Sequence, residues 1–173
     1  MTTSTRVPVE EYLSTDYSPD VDYVDGELVD RNVGEKDHSK LQMRLAGYLF
    51  NHRAEYGIHI FPEPRLQVSP SRFRVPYISV VVGPEPEEQI FTTPPFLCIE
   101  ILSPEDRMSR VQNKIDDLLG FGVRYLWIVD PNTRHAWVHT RDAIAEARDG
   151  FLWTKHPDIA VPLSEILEQP AQA

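Results

Sequence analysis

Glu100 stands alone in an apolar run, flanked by Phe96, Leu97, Cys98 and Ile99 on one side and by Ile101 and Leu102 on the other. Such a run suits a strand covered on both faces. A carboxylate placed there costs several kcal/mol unless a cation or hydrogen bonds compensate it. A bound metal ion would meet that need, and so would an arginine partner at the strand end. Lys114 follows on the next predicted helix. Arg107, Arg110 and Lys114 fall within roughly 60° of one another on a helical wheel. That stripe suits a phosphate backbone, and equally a solvated face with snorkelling side chains. Lys114 borders the side turned towards the sheet.

Other polar residues are weaker candidates. Glu63 lies between Pro62 and Pro64, at a strand end where either a metal ligand or a solvated loop acid can sit. Glu27 alternates with Leu28 in a predicted hairpin and can face inward or outward. His38 stands at the entrance of a helix, as a capping neighbour or as a polar group near a substrate. Asp25 is explained by its turn alone. Cys98 reads as a buried, inert thiol. The sequence holds no phosphate-cradling glycine loop, no nucleophile elbow and no two-histidine zinc helix.

The elements that must position these residues are legible from period and punctuation. Val7 to Leu13 reads as a short opening helix with Pro8 in its first turn. Asp22 to Asp30 reads as a hairpin, because Asp25-Gly26 suits a two-residue primed turn. Leu41, Leu45, Tyr48 and Leu49 make one buried stripe, predicting a helix over 39–53 that ends before Gly57. Strands are expected at 58–61, 65–68, 78–82 and 96–102. Asp106 is placed to cap a helix running to Leu119, with Val111, Ile115, Leu118 and Leu119 inward and Gly120 and Gly122 stopping it. A further buried strand at 125–129 makes a strand–helix–strand crossover, which implies a parallel pair. An edge strand at 135–140 follows. Residues 151–167 suggest one more strand and a short helix, with a frayed tail after them. The fold class expected is α/β: a mixed central sheet flanked by helices, preceded by an N-terminal helix and a β-hairpin.

The 173 residues suit a single domain, with a core region over about 7–140 and a C-terminal strand and short helix over 151–168. No apolar run approaches the ~18 residues of a membrane span. Residues 1–6 lack a signal-peptide pattern, and one cysteine excludes a disulfide framework. A cytoplasmic protein without a membrane partner is expected. The net charge of −10 argues against a broad basic surface for nucleic acid, while leaving room for a local basic stripe.

In order along the chain stand Asp25-Gly26-Glu27-Leu28, then His38-Ser39, then Arg74-Val75-Pro76 before Ile78-Ser79-Val80-Val81. They continue with Glu100-Ile101-Leu102-Ser103-Pro104, Lys114, Gly122-Val123, and Tyr125-Leu126-Trp127-Ile128-Val129-Asp130-Pro131. This series resembles the Uma-type family of putative restriction endonucleases, over about Val7 to Thr140. The resemblance implies a PD-(D/E)XK nuclease fold and a Mg²⁺- or Mn²⁺-dependent DNA endonuclease. It places the motif proline at Pro76, the second acid at Glu100 and the lysine at Lys114, since Leu102 fills its usual place. By the same resemblance the metal would take Glu100 and the Ile101 carbonyl, with Glu63 or Glu27 as further ligands. His38, Arg107 and Arg110 would meet substrate, and a homodimer would suit double-strand cleavage.

The resemblance breaks at Tyr77, where the family pattern calls for aspartate. A neutral phenol is a poor ligand for a hard cation, and its ring can fill the metal's place. Leu118 is a milder departure, at a position where relatives often carry tyrosine. Two functions follow: an endonuclease with a rearranged ligand set, or a catalytically silent nuclease-fold module that binds nucleic acid or protein. Natural loss and deliberate replacement at Tyr77 read alike in the sequence.

Overall fold

A computed structural model describes residues 6–32 and 35–167. The opening helix α1 spans Val9–Ser14 and is followed by strands β1, Asp22–Val24, and β2, Glu27–Val29. Both central residues of the hairpin turn have positive φ, Asp25 at 50° and Gly26 at 96°, as a primed two-residue turn requires. Helix α2 runs over Lys36–Asn51, three residues earlier at its start than the apolar stripe suggests, and a short α3 covers Arg53–Tyr56. Strands β3 Ile58–Pro62, β4 Leu66–Ser69, β5 Arg72–Arg74, β6 Ile78–Val82 and β7 Leu97–Ile101 lead to helix α4, Met108–Phe121. After it come β8 Tyr125–Val129, β9 Ala136–His139, β10 Ile144–Glu146, β11 Phe151–Trp153, β12 Ala160–Pro162 and α5 Leu163–Ile166.

Six strands form the central sheet in the order β10-β9-β8-β7-β6-β3. It is mixed: β7 and β8 pair in parallel across α4, and the other neighbours are antiparallel. Alternation along β7 decides what each face meets. Leu97, Ile99 and Ile101 share a core with Leu41, Leu45 and Leu49 of α2. Cys98 shares the opposite core with Ile115 and Leu118 of α4, and Glu100, two residues on, has the same parity. A smaller sheet, β2-β1-β5-β4, packs Tyr23 and Phe73 against Tyr12 of α1.

Asp106 does not cap α4; its oxygens accept from Ser103 N and Asn32 Nδ2, closing the preceding turn, and Arg107 is the cap residue. Gly120 lies inside α4, and only Gly122, at φ 115°, ends it. The segment over 135–140 is not an edge strand, because β10 pairs on its outer side. Residues 151–167 carry two paired strands rather than one. Their Leu152, Ile159 and Val161 join the α2-side core, so that core extends past residue 140. The tail expected to fray, from residue 168 on, lies outside the described residues. No helix among them is long and apolar enough to cross a membrane.

Candidate functional site

The start of β1, the end of β2 with the segment after it, the end of β5, Tyr77 ahead of β6, the end of β7 and the first turns of α4 enclose a cleft of about 260 Å³. Tyr77, Glu100, Ile101, Arg107, Arg110 and Lys114, all singled out in the sequence, line it. So do Asp22, Arg31, Asn32 and Arg74, none of which the sequence marks as a site residue. Glu63 and Glu27 are not among the lining residues; Glu27 is exposed on β2, and Glu63 is exposed beyond β3. His38 is buried behind the cleft, its ring 4.3 Å from that of Tyr77 in an edge-on contact.

Glu100 is 7% exposed, and Lys114 Nζ lies 3.0 Å from its Oε1. That separation suits an ion pair, but Oε1 lacks an aligned hydrogen-bond donor. Burial holds the Glu100 carboxyl above its ordinary value; Lys114 opposes the rise and nearby Asp22 adds to it. Lys114 also donates to the Val75 carbonyl at 2.9 Å and sits 3.5 Å from Asp22 Oδ2. Two carboxylates thus converge on one ammonium.

Asp22 is tied further. Its Oδ1 accepts from Val75 N at 2.8 Å and its Oδ2 from Arg74 at 3.1 Å. Arg74 and Arg72 both grip Asp117 of α4, and Arg72 also holds Asp25 of the hairpin turn. The result is an alternating chain of charges, Asp25–Arg72–Asp117–Arg74–Asp22–Lys114–Glu100, running from the surface to the sheet. The strand position of Asp22, between Val21 and Tyr23, was the one sequence signal for it: an acid inside an alternating apolar pattern.

Tyr77 fills the space beside this chain. Its hydroxyl donates to Asn32 O at 2.8 Å, Arg31 lies over the ring at 4.6 Å, and Lys114 Nζ is 5.7 Å from the ring centre. Burial, then the Glu100 charge, pushes the phenol pKa well up, so it stays neutral. Burial and Arg31 lower the pKa of His38, against the opposing effects of Asp106, Glu63 and a hydrogen bond to the Ile101 backbone. Its Nε2 is buried without a partner.

Arg31 is the least satisfied group. Its side chain is 3% exposed, its one ion pair among the described residues is Nη2 to Glu63 at 3.3 Å, and there Nε and Nη1 have no acceptor. A half-exposed pair contributes about 1 kcal/mol and a cation–π contact about 2 kcal/mol. Burying a guanidinium without full pairing costs several kcal/mol, so these contacts do not cover it.

The divalent metal implied by the resemblance does not fit this donor set. Mg²⁺ and Mn²⁺ select hard oxygen ligands, chiefly carboxylates. Here Tyr77 offers a neutral phenol already bonded to Asn32, and His38 engages the Ile101 backbone. Lys114 faces Glu100, Asp22 already accepts from Val75 N and Arg74 with Lys114 at 3.5 Å, and Glu63 is bonded to Arg31 and Gln42. Among the described residues no three acids, histidines or cysteines gather around a shared cation position.

A family profile described as "Uma2: Putative restriction endonuclease" matches residues 9–164. No curated protein matches the chain. A solved structure, described as a putative nuclease belonging to DUF820 from Anabaena variabilis, superimposes with a TM-score of 0.77. It is 21% identical, and the match covers 92% of this chain and 97% of that one. At that identity the likeness shows the fold.

Proposed function

The chain belongs to the Uma2 family of putative restriction endonucleases, and from that premise we propose that it is a DNA-binding member whose phosphodiester cleavage is held silent by Tyr77. Membership supports a nuclease-type function with DNA as the substrate class. The observation that carries the rest is the seat of Tyr77, whose ring is packed between Arg31, Lys114 and His38 with its hydroxyl given to Asn32. The position from which a carboxylate would face Glu100 holds a neutral, hydrogen-bonded phenol instead. Lys114 is left pairing two acids, so its charge is spent inside the protein and not on a developing oxyanion. The remaining chemistry is recognition: Arg107 and Arg110 are exposed on the cleft side of α4 and reach a phosphate backbone without rearrangement of the core.

One feature favours a second reading, an enzyme with a rearranged acid set. Asp22 and Glu100 meet at the same ammonium, as two working carboxylates would. Nicking of supercoiled plasmid with Mg²⁺ or Mn²⁺ separates the two. The chain as it stands should be inactive, Tyr77→Asp should nick, and Tyr77→Asp with Glu100→Ala should lose that gain. Cleavage by the unaltered chain would establish the second reading. Silence of all three would remove nuclease chemistry from the cleft and leave a binding module.

A further inference from the structure

The charges around the cleft are unequally satisfied. Asp22 and Asp106 are hydrogen-bonded by neighbours already described, and Glu100 is paired with Lys114 although its Oε1 has no aligned donor. Of the five cations that line the cleft, Arg74 and Lys114 are spent on those acids. Arg31, Arg107 and Arg110 are not: Arg31 has two buried nitrogens without acceptors, and Arg107 and Arg110 make no ion pair among the described residues. The start of α4 opens into the same space with no side-chain cap and no acid in its first turn, leaving the helix dipole and its free N–H groups directed there. Two acids that line the cleft, Asp30 and Glu105, are exposed to solvent.

We propose that the cleft binds a phosphoryl oxyanion directly, without metal, with Arg31 as the buried anchor and Arg107 and Arg110 closing from α4. This rests on the nuclease-family reading and deepens it: the protein's own guanidinium groups supply the positive charge that the donor set no longer recruits as a cation. Guanidinium forks match tetrahedral oxyanions in geometry as well as charge, and a helix N-terminus adds donors to the same ligand. The unpaired nitrogens of Arg31 are buried against the cleft wall, so a modest turn of its side chain would bring them to an anion seated here and supply acceptors they lack. The cleft volume of about 260 Å³ admits a phosphate with part of its ester.

The test is run in EDTA, so that no divalent cation contributes. Thermal unfolding is followed with inorganic phosphate against chloride at equal ionic strength, for the unaltered chain, Arg31→Gln, and Arg107→Ala with Arg110→Ala. Phosphate should raise the melting temperature of the unaltered chain beyond the chloride control, and both variants should lose most of that rise. Arg31→Gln removes an underpaired buried charge, so it should fold at least as well, which keeps its result readable. Fluorescence anisotropy with an oligonucleotide, with and without a 5′-phosphate, then identifies the source of the anion. A preference of tenfold or more for the phosphorylated strand, lost in Arg31→Gln, assigns a terminal monoester. Equal binding of both strands that still falls tenfold in Arg31→Gln assigns an internal diester. Phosphate no better than chloride, or responses equal in the unaltered chain and Arg31→Gln, would overturn the proposal. Binding of DNA that survives that result would leave the family reading standing, and its loss in all proteins would remove both.

Discussion

Glu100 owes its position to a strand that is buried on both faces, and its charge is tolerated because Lys114 reaches back from α4 to meet it. Breaking a buried pair from one side leaves the other charge stranded, at a cost of about 3–5 kcal/mol. Lys114→Met should therefore lower stability by that amount near neutral pH, measured by urea unfolding. The pH dependence has a defined sign. Burial holds the native Glu100 pKa above its ordinary 4.5. The stability contributed by the protonated acid is present below that value and is lost as pH rises through the native pKa. Without Lys114 the native pKa rises further, so the deficit of Lys114→Met should shrink as pH is lowered, and Glu100→Gln should rescue the variant at pH 7. A deficit that stays flat with pH would assign the role of Lys114 to Asp22 and the Val75 carbonyl instead. Glu100 and Lys114 were legible because an acid in an apolar run and a cation beside an amphipathic stripe are both local violations of pattern. Arg31 left no such mark. It follows a hairpin like any surface arginine, and only the fold, which sets it against Tyr77 and Glu63, buries it.

At the scale of elements, the small sheet is joined to α4 by apolar contact through Leu66 of β4 and by charge through β5. Arg72 and Arg74, adjacent positions on one side of β5, both end on Asp117, so β5 and α4 are latched together. Asp117→Asn should cost about 3 kcal/mol, because two guanidinium groups lose their shared anion and Arg74 is nearly fully buried. Amide hydrogen exchange should rise in β1, β2, β4 and β5 while β6, β7 and β8 keep their protection. A uniform rise would show that the ladder stabilises the whole molecule and is not a latch for one sheet. The strands involved also mark where sequence reading ran out. β5 is three residues long with arginines at both ends, and β10 holds one large apolar side chain, Ile144, itself exposed. Neither has enough alternation to announce a strand; each exists through the partner it pairs with. α2, α4 and β6 to β8 were legible because their stripes and apolar runs satisfy the period without outside help.

For the whole molecule the decisive quantity is charge. A chain of net charge −10 repels a polyanion over most of its surface, so DNA binding through the proposed site rests on the few cations of the cleft. Counterion release then sets the salt dependence, with a slope of roughly −0.9 for each phosphate neutralised. With Arg31, Arg107 and Arg110 as the contacts, two or three phosphates would be engaged, and affinity should fall by roughly 10- to 40-fold between about 50 and 200 mM salt. A broad basic face making six to ten contacts would lose about 10³- to 10⁵-fold over the same range. Titration of a labelled duplex at several salt concentrations in EDTA measures the slope directly. A shallow slope that flattens further in Arg107→Ala with Arg110→Ala places the interface at the cleft. A steep slope would require a basic surface that the sum of charges speaks against, and would move the interface away from Tyr77 and Glu100.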